Sequence, residues 1–254
     1  ACLTCLAVRQ AARQVRQVKL FETSLRIRHD NTFWSASMFF WEHFMKIQVI
    51  SDIHGSAADL RAALEGFERV HGKADLLLLC GDYLNHGPRN TLPAGYDTKA
   101  AAALLNEHAK RIVGVRGNCD SEVDQMMLSF PCLAPYVSLF LGGGERPVNA
   151  AFETAGEEAA TVCQRVFVHH GHLYDTVQLA SWLPASTLVV SGHTHVPVLE
   201  RDEKTGLVLF NPGSISIPKS DEGKTYGVIE SDAWGIRRIA LCALSGSVLR
   251  EVPF

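Results

Sequence analysis

The feature that most constrains the fold is a repeated arrangement in which a short apolar run is followed by aspartate, asparagine or histidine. Runs of three to five mostly apolar residues are typical of strands buried on both faces of a sheet. The backbone changes direction at a strand end, so side chains from several ends can point at a common centre. The runs and their polar successors are Ile47–Ile50 with Asp52 and His54, Leu76–Cys80 with Asp82, Ile112–Val115 with Asn118, Val166–Val168 with His170 and His172, and Leu188–Val190 with His193 and His195. We therefore expect these residues to form one metal-binding constellation.

The pattern between these runs predicts an α/β domain. Ser56 and Asp59 form a capping-box pattern, and apolar residues at helical spacing follow until Gly72. Beyond Val196 the pattern changes to strands separated by tight turns, so a βαβ half leads into an antiparallel half. With 254 residues the chain is long enough for one large domain and too short for two comfortable ones. The polar segment from Pro147 to Val162 is interpreted as a surface excursion without a functional signal.

Residues 1–44 differ in composition from the rest of the chain. They are rich in arginine and poor in acids, which is typical of an organelle transit peptide. Met45 favours a second interpretation, because a buried strand begins directly after it. Trp41 and Glu42 also require the codons TGG and GAR, which place a purine-rich GGGAR where a bacterial ribosome-binding sequence would precede an ATG. We expect residues 1–44 to be a non-native or disordered extension and residues 45–254 to form the folded domain.

Composition argues against several classes of function. The net charge is −3, so the chain lacks the strongly basic character that binds duplex nucleic acid. No apolar run approaches the roughly 18 residues that span a bilayer. Seven cysteines form an odd set with no secretory signal ahead of them. These observations predict a cytoplasmic protein with reduced thiols that acts away from membranes. They leave the oligomeric state open, including a homo-oligomer.

The types of ligand indicate the metal and the reaction. Carboxylates, imidazoles and one amide suit manganese, iron or zinc better than a soft thiolate site would, and we expect manganese, with iron, zinc or nickel as alternatives. Seven side chains are more than one tetrahedral ion needs, and a carboxylate such as Asp82 could bridge two divalent ions about 3.5 to 4 Å apart. Two such ions polarise a phosphoryl oxygen, generate a bridging hydroxide and stabilise the leaving oxygen. This chemistry suits the hydrolysis of a phosphate ester.

Five motifs carry a resemblance to a known family. In chain order they are Asp52-Ile53-His54, Gly81-Asp82, Gly117-Asn118, His170-Gly171-His172 and Gly192-His193-Thr194-His195. Their order and spacing resemble the calcineurin-like metallophosphoesterases, and the longer strings that begin at Gly81 and Asn118 are most similar to the small bacterial YfcE-type phosphodiesterases. The resemblance runs from Met45 nearly to the C-terminus. It implies a four-layer α/β sandwich, with two mixed β-sheets flanked by α-helices and a dinuclear metal site at the strand ends.

The resemblance also implies roles for individual residues. It places Asp52, His54 and His195 on one ion, Asn118, His170 and His193 on the other, and Asp82 between the two ions. Asn118 would also lie near the phosphate and stabilise the transition state. Cys119 stands where many family members have a histidine that protonates the leaving group, and a thiol is a poor replacement for that cation. Substrates whose leaving group needs little help, or another donor such as His86 or His172, would compensate.

Residues around the motifs have more than one interpretation. We expect His86, Arg89 and His172 to contact the substrate, since the guanidinium fork of arginine matches phosphate oxygens. The alternatives are a loop held by its own hydrogen bonds for His86 and Arg89, and support of a metal ligand for His172. Asp120 is either a helix N-cap or a carboxylate that supports a ligand. The family pattern makes His169 a neighbour of the ligands, and it makes residues 211–214 a turn that shapes the wall of the site.

Three functions fit the sequence. The first is a metal-dependent phosphodiesterase that acts on a small or nucleotide-derived phosphate ester. The second is a phosphomonoesterase that uses the same site. The third is a non-catalytic metal-binding scaffold, a role that the same fold has in the retromer subunit similar to this group. The complete ligand set favours an enzyme over the scaffold.

Overall fold

A computed structural model describes residues 44–143 and 163–254, and in these ranges the elements follow the predicted alternation. The strands are β1 (Met45–Ile50), β2 (Leu76–Leu79), β3 (Ile112–Gly114), β4 (Tyr136–Gly142), β5 (Cys163–His169), β6 (Leu188–Val190), β7 (Val198–Arg201), β8 (Val208–Asn211), β9 (Thr225–Asp232), β10 (Gly235–Ala243) and β11 (Val248–Pro253). The helices are α1 (Ala57–His71), α2 (Thr98–Glu107), α3 (Glu122–Met127) and α4 (Thr176–Trp182), with a 3₁₀ turn at Ala109–Arg111. The excursion predicted for Pro147 to Val162, and the predicted N-terminal extension apart from Phe44, lie outside the described residues.

The strands form two mixed sheets. The first sheet has the order β11-β10-β9-β1-β2-β3, in which β1, β2 and β3 are parallel and the other neighbours are antiparallel. The second has the order β4-β5-β6-β8-β7, in which β5, β6 and β8 are parallel and the two edge strands are antiparallel to them. The predicted antiparallel half is therefore divided, because β7 and β8 join the second sheet and β9, β10 and β11 join the first.

The two sheets pack face to face through one apolar layer. Successive side chains of a strand point to opposite faces, so alternate residues of the buried runs enter this layer. Leu78 and Val49 contribute from the first sheet, and Val168 and Val190 contribute from the second. Phe210 of β8 lies in the same cluster and is 1% exposed. Burial on both faces explains why these runs are continuously apolar.

Helices cover the outer faces of both sheets. Leu77 and Leu79 point away from the second sheet and pack in a cluster with Leu60 and Phe67 of α1. On the other side, Phe167 of β5 packs in a smaller cluster that includes Leu179 of α4 and Val189 of β6. The predicted four-layer sandwich is confirmed. None of the described helices is long and apolar enough to cross a bilayer.

Helix starts in the described region follow local capping chemistry. Ser56 is the N-cap of α1, where its side chain accepts a hydrogen bond from the amide of Asp59, as the sequence predicted. Asp97 caps α2 through the amide of Ala100. Ser121, and not Asp120, is the N-cap of α3. Asp120 is therefore free for the supporting role that the sequence left open.

Candidate metal centre

The polar residues that follow the parallel strands converge at one end of the sandwich. Asp52 and His54 follow β1, Asp82 follows β2, and Asn118 follows β3, all in the first sheet. The second sheet contributes one histidine after β5 and two after β6, which are His170, His193 and His195. All of these residues follow the carboxyl ends of strands in the two sheets. In open α/β sheets, ligand sites form at the carboxyl ends of the strands. The site thus lies at the junction of the two sheets.

The backbone of this site is strained at five of the proposed ligands. Six non-glycine residues of the described ranges have positive φ, and five of them are proposed ligands. These five are Asp52 (φ 54°), His54 (46°), Asp82 (56°), His193 (68°) and His195 (61°). A left-handed conformation costs a non-glycine residue on the order of 1–3 kcal/mol, although aspartate and histidine adopt it more readily than most residues do. Such strain, concentrated in one constellation, indicates a functional site.

Three side chains form a compact group on one side of the site. Nε2 of His195 lies 3.2 Å from Oδ1 of Asp52 and 3.2 Å from Nε2 of His54. All three residues are buried, and their ligand atoms lie within 4.8 Å of one another. Oδ1 of Asp52 is buried and has no hydrogen-bond donor among the described residues. We name Asp52, His54 and His195 the first ligand group.

Hydrogen bonds on the far side of each imidazole determine which nitrogen faces the site. Nδ1 of His54 lies 2.8 Å from the carbonyl oxygen of Asn85, and Nδ1 of His195 lies 2.6 Å from that of Ile217. A carbonyl only accepts, so each Nδ1 carries the proton and each neutral ring presents a lone pair at Nε2. When both rings are neutral, two imidazole lone pairs and one carboxylate oxygen face one another at about hydrogen-bond distance. A cation resolves this repulsion, and ligand histidines commonly donate their second N–H in this way.

A second group lies beside the first. Nε2 of His170 is 3.5 Å from Oδ2 of Asp82 and 3.0 Å from Oδ1 of Asn118, while its Nδ1 lies 2.6 Å from the carbonyl oxygen of Cys80. Oδ1 of Asn118 is also 2.7 Å from Nδ1 of His193. We name Asp82, Asn118, His170 and His193 the second ligand group. Asp52 connects the two groups, because its carboxylate lies within 4.8 Å of the ligand atoms of Asp82 and His170.

The electrostatics of both groups favour added positive charge. Burial acts to raise the pKa of Asp52, but His195 and His54 outweigh it and hold this pKa well below its usual range. Burial acts to lower the pKa of His170, but its hydrogen bond with Asp82 and the nearby carboxylates raise it to about 9. The carboxylates thus stabilise a cation at the position that Nε2 of His170 faces. The donor set and the unpaired Oδ1 of Asp52 fit divalent metal ions.

Serine residues hold Asp52 in place. The hydroxyl of Ser51 donates to Oδ2 of Asp52 at 2.5 Å, and the amide of His193 donates to the same oxygen at 3.0 Å. The hydroxyls of Ser214 and Ser216 donate to the Asp52 carbonyl at 2.8 and 2.9 Å. Oδ2 and the carbonyl are occupied by these donors, so Oδ1 is left to face the ligands. The turn at residues 211–214, which the sequence placed at the wall of the site, contributes Ser214.

Asp120 fastens the β2 and β3 loops together. Its carboxylate accepts hydrogen bonds from the amides of Asp82 at 2.8 Å, Tyr83 at 2.8 Å and Gly117 at 2.6 Å. Burial and the neighbouring Asp82 raise the pKa of Asp120 to about 7, although the three amides act in the opposite direction. Because these amides belong to the loops that carry Asp82 and Asn118, Asp120 fixes the distance between two of the proposed ligands.

Cys119 lies beside the second ligand group as a neutral thiol. Its amide donates to Oδ1 of Asp82 at 2.8 Å, and its sulfur is 3.2 Å from Nδ2 of Asn118. Burial, with the negative charge of Asp82, raises the pKa of the thiol to about 12. Sγ also lies within 4.8 Å of the ligand atoms of His54 and Asp82. The high pKa keeps the proton on sulfur.

A cleft of about 790 Å³ opens over the ligands. Arg89, predicted to contact substrate, lines this cleft together with Asn118 and Cys119. The ring of His86 instead packs edge-on against Tyr96, with ring centroids 5.5 Å apart. The ring of His172 lies 5.3 Å from that of His170, next to the ligands. Substrate contact by all three residues remains a prediction.

Sequence reasoning missed several contributors to the site. Lys219 lines the cleft, and its amide donates to the carbonyl of His195 at 3.1 Å. The carbonyl groups of Asn85 and Ile217 orient the two histidines of the first ligand group. These contributors act through main-chain atoms or lie outside the motifs. The sequence signal that could have indicated Lys219 is the change from apolar to polar residues directly after Pro218.

Comparison with known proteins agrees with this geometry. The sequence profile of the calcineurin-like phosphoesterase superfamily domain matches residues 45–233, which is more than half of the chain. The chain belongs to this family. The family assignment confirms the resemblance inferred from the five motifs, and it identifies the protein as a metallophosphoesterase, a hydrolase that depends on divalent metal ions.

Named relatives support the same assignment. Phosphodiesterase YfcE of Escherichia coli strain K12 is 41% identical over 192 residues, which are 76% of this chain and 91% of YfcE. A solved structure of YfcE, described as a phosphoesterase from E. coli, covers 82% of this chain and 99% of its own, with a TM-score of 0.64 and 38% identity. Probable metallophosphoesterase YsnB of Bacillus subtilis is 26% identical over 201 residues, which are 76% of this chain and 89% of YsnB.

Proposed function

We propose that this protein is a phosphodiesterase that hydrolyses a small or nucleotide-derived phosphodiester at a dinuclear metal site. The observation that carries the proposal is the pair of adjacent ligand groups, in which lone pairs of imidazole, carboxylate and amide converge. The relative that is 41% identical is named a phosphodiesterase, which supports diesters over monoesters. Manganese fits this mixture of nitrogen and oxygen donors, with iron, zinc or nickel as alternatives.

The first ligand group would hold one ion, and the second would hold the other. Asp82 would lie between them, because its Oδ2 is 3.7 Å from Nε2 of His54 and 3.5 Å from Nε2 of His170. When bound, two divalent ions polarise the phosphoryl group and make water a strong nucleophile near neutral pH. The protein keeps the ligands in place through the carbonyl groups behind each histidine and through Asp120.

Asn118 would act on the phosphate as well as on the metal. Asn118 lines the cleft, and its amide nitrogen is 3.2 Å from the sulfur of Cys119. A donor at this position can stabilise charge that develops on a phosphoryl oxygen. His86, Arg89 and His172 would contact the substrate. The carbonyl of His86, which accepts from Asn90 at 2.8 Å, would also shape the loop that carries Arg89.

The thiol of Cys119 restricts the leaving groups that this site can use. A pKa of about 12 makes the thiol a weaker acid than an imidazolium, so it protonates a departing alkoxide poorly. We therefore propose that the preferred diesters have leaving groups that depart with little protonation. Efficient turnover of diesters with strongly basic alkoxide leaving groups would contradict this part of the proposal.

The test is turnover of a chromogenic phosphodiester and of the matching monoester by the full chain. The protein is stripped of metal, assayed, and assayed again with Mn²⁺. We expect diester hydrolysis that requires the metal and exceeds monoester hydrolysis. Asn118→Ala should reduce kcat by roughly 100-fold, the typical effect of removing one donor to a developing oxyanion.

Asn106→Ala is a matched control for this variant. Asn106 lies on α2 and bonds to Met127 and Ser129, away from the ligand groups. The control should lose some stability and keep the wild-type kcat. Equal turnover in the metal-free and metal-loaded protein, or faster turnover of the monoester, would refute the proposed function.

A further inference from the structure

We propose that the cleft selects a phosphodiester that carries a second anionic group on one of its branches, and that Arg89 and Lys219 bind that group. This inference rests on the phosphodiesterase function proposed above. Both side chains line the cleft that contains Asn118 and His195. Both residues are exposed, so their cationic groups can meet a ligand.

The two cations have no acidic partner among the described residues, where no hydrogen bond or ion pair involves either charged group. Two cations that do not line the cleft differ in this respect. Lys224 lies 2.6 Å from a carboxylate oxygen of Asp59, and Arg250 lies 3.0 Å from one of Glu222. The chain as a whole carries a net charge of −3. Two unneutralised cations in one cleft of a weakly acidic protein favour an anionic ligand.

Hydrogen bonds to main-chain carbonyls anchor the segments that carry both cations beside the first ligand group. Arg89 follows Asn85 by four residues, and the Asn85 carbonyl lies 2.8 Å from Nδ1 of His54. Lys219 follows Ile217 by two residues, and the Ile217 carbonyl lies 2.6 Å from Nδ1 of His195. The amide of Lys219 also donates to the carbonyl of His195.

The Nδ1 atoms of His54 and His195 thus bond to the segments that carry the two cations. Because Nε2 of His54 and Nε2 of His195 are only 3.2 Å apart, both loops are anchored at one point of the site. A second anion of the substrate would therefore lie within reach of Arg89 and Lys219, and the scissile phosphate would lie beside Asn118, which lines the same cleft.

The size of the cleft agrees with such a substrate. A volume of about 790 Å³ is far larger than a single phosphate group needs, and it falls in the range of sites for nucleotide-sized ligands. A simple dialkyl phosphate carries one negative charge, which the metal ions and Asn118 would already meet. A phosphate or carboxylate elsewhere in the molecule would give Arg89 and Lys219 a partner, with the arginine fork suited to bidentate contact.

Two thymidine diesters that differ in one group test the inference. They are thymidine 5′-(p-nitrophenyl phosphate) and the same compound with a 3′-phosphate. With the Mn²⁺-loaded full chain we expect kcat/KM to be at least about tenfold higher for the 3′-phosphate compound, the effect of one charge-assisted hydrogen bond. The preference should fall as salt concentration rises, because exposed charges are screened.

Binding provides a readout that does not depend on turnover. Calorimetry compares thymidine 3′,5′-bisphosphate with thymidine 5′-monophosphate on the Mn²⁺-loaded protein, and we expect the bisphosphate to bind at least about tenfold more tightly. The double variant Arg89→Met with Lys219→Met should remove both preferences, and Arg89→Lys with Lys219→Arg should restore part of them. Lys110→Met, in the 3₁₀ turn before β3, is the control and should keep both preferences.

The outcomes separate the two proposals. Equal kcat/KM values and equal affinities would overturn the anion-binding role of Arg89 and Lys219 and leave the phosphodiesterase function in place. A binding preference that the double variant loses, with no turnover of either diester, would support the anion-binding role and refute the function. Preferences that the double variant retains would also overturn the inference, because the selectivity would then come from other residues.

Discussion

Ser51 and Gly192 are coupled through the carboxylate of Asp52, and this coupling can be measured. The Ser51 hydroxyl donates to Oδ2 of Asp52 at 2.5 Å. A Cβ on Gly192 would lie 1.9 Å from this hydroxyl and 2.7 Å from the same Oδ2. Gly192→Ala therefore forces the hydroxyl to move by about 1.5 Å to reach an ordinary contact distance of about 3.4 Å. Such a movement breaks the hydrogen bond to Asp52.

The expected free energies of unfolding follow from these contacts. Gly192→Ala should destabilise by about 2.5–6 kcal/mol, of which about 1–3 comes from overpacking and about 1.5–3 from the lost bond to a charged group. Ser51→Ala should cost about 1.5–3 kcal/mol, because it removes the same bond. The double variant loses that bond only once and also relieves part of the clash. Its destabilisation should fall short of the sum by at least about 1.5 kcal/mol.

Urea unfolding of the four proteins in EDTA measures these values without a metal contribution. Gly223→Ala is the matched control, because a Cβ there meets nothing within 4 Å and its φ is +72°. It should cost about 1 kcal/mol from backbone strain and add to Ser51→Ala. Additivity of Ser51→Ala and Gly192→Ala within about 0.5 kcal/mol would refute the coupling through Asp52.

Three further predictions concern pH, metal and helix capping. Burial lowers the pKa of His169 from 6.5 to about 4. As the pH falls below 6.5, His169 is therefore protonated in the unfolded chain and stays neutral in the folded chain. His169 should therefore lower the free energy of unfolding by about 2 kcal/mol between pH 7 and pH 5. In His169→Gln the measured loss of stability between these pH values should be smaller by that amount, and equal losses in the wild type and the variant would exclude the effect. Metal at 100 times its Kd should stabilise the protein by about 2.7 kcal/mol, and an unchanged Tm after chelation would argue against the metal centre. Asp97→Ala should cost about 1 kcal/mol in urea unfolding and Asp97→Asn almost nothing; similar losses in both would show that charge, and not capping of Ala100, is what matters.

The sequence was sufficient for the elements of the fold and, through the family resemblance, for its four layers, but it was insufficient for the order of the strands within each sheet. Continuous apolar runs such as Leu76–Leu79 are buried on both faces, and this burial is visible as composition. The parallel pairing of β8 with β6 could not be predicted, because strand order depends on contacts between residues far apart in the chain. The N-cap of α2 was also missed, since Asp97 lies at the end of an irregular loop.

In the site, the side chains could be predicted from the sequence and their main-chain partners could not. Motif spacing was sufficient to nominate Asp52, His54 and His195, and the structure brings their ligand atoms within 4.8 Å of one another. The carbonyl groups of Asn85 and Ile217, which select the tautomers, have no sequence signature because every residue carries a carbonyl. Such partners become visible only when the chain is folded.

The left-handed backbone at the ligands has a consequence for how this protein can change. Strained conformations oppose folding at five residues, Asp52, His54, Asp82, His193 and His195. Without metal, lone pairs that face one another when the rings are neutral add repulsion among Asp52, His54 and His195. Glycine adopts this conformation without strain, so replacing one of these three ligands by glycine removes strain and repulsion together while it removes the ligand. Selection for thermal stability alone would therefore erode the site, and selection for activity must maintain each ligand against that tendency. At the proposed metal centre, the residues that activity requires are therefore not the residues that would make the fold most stable.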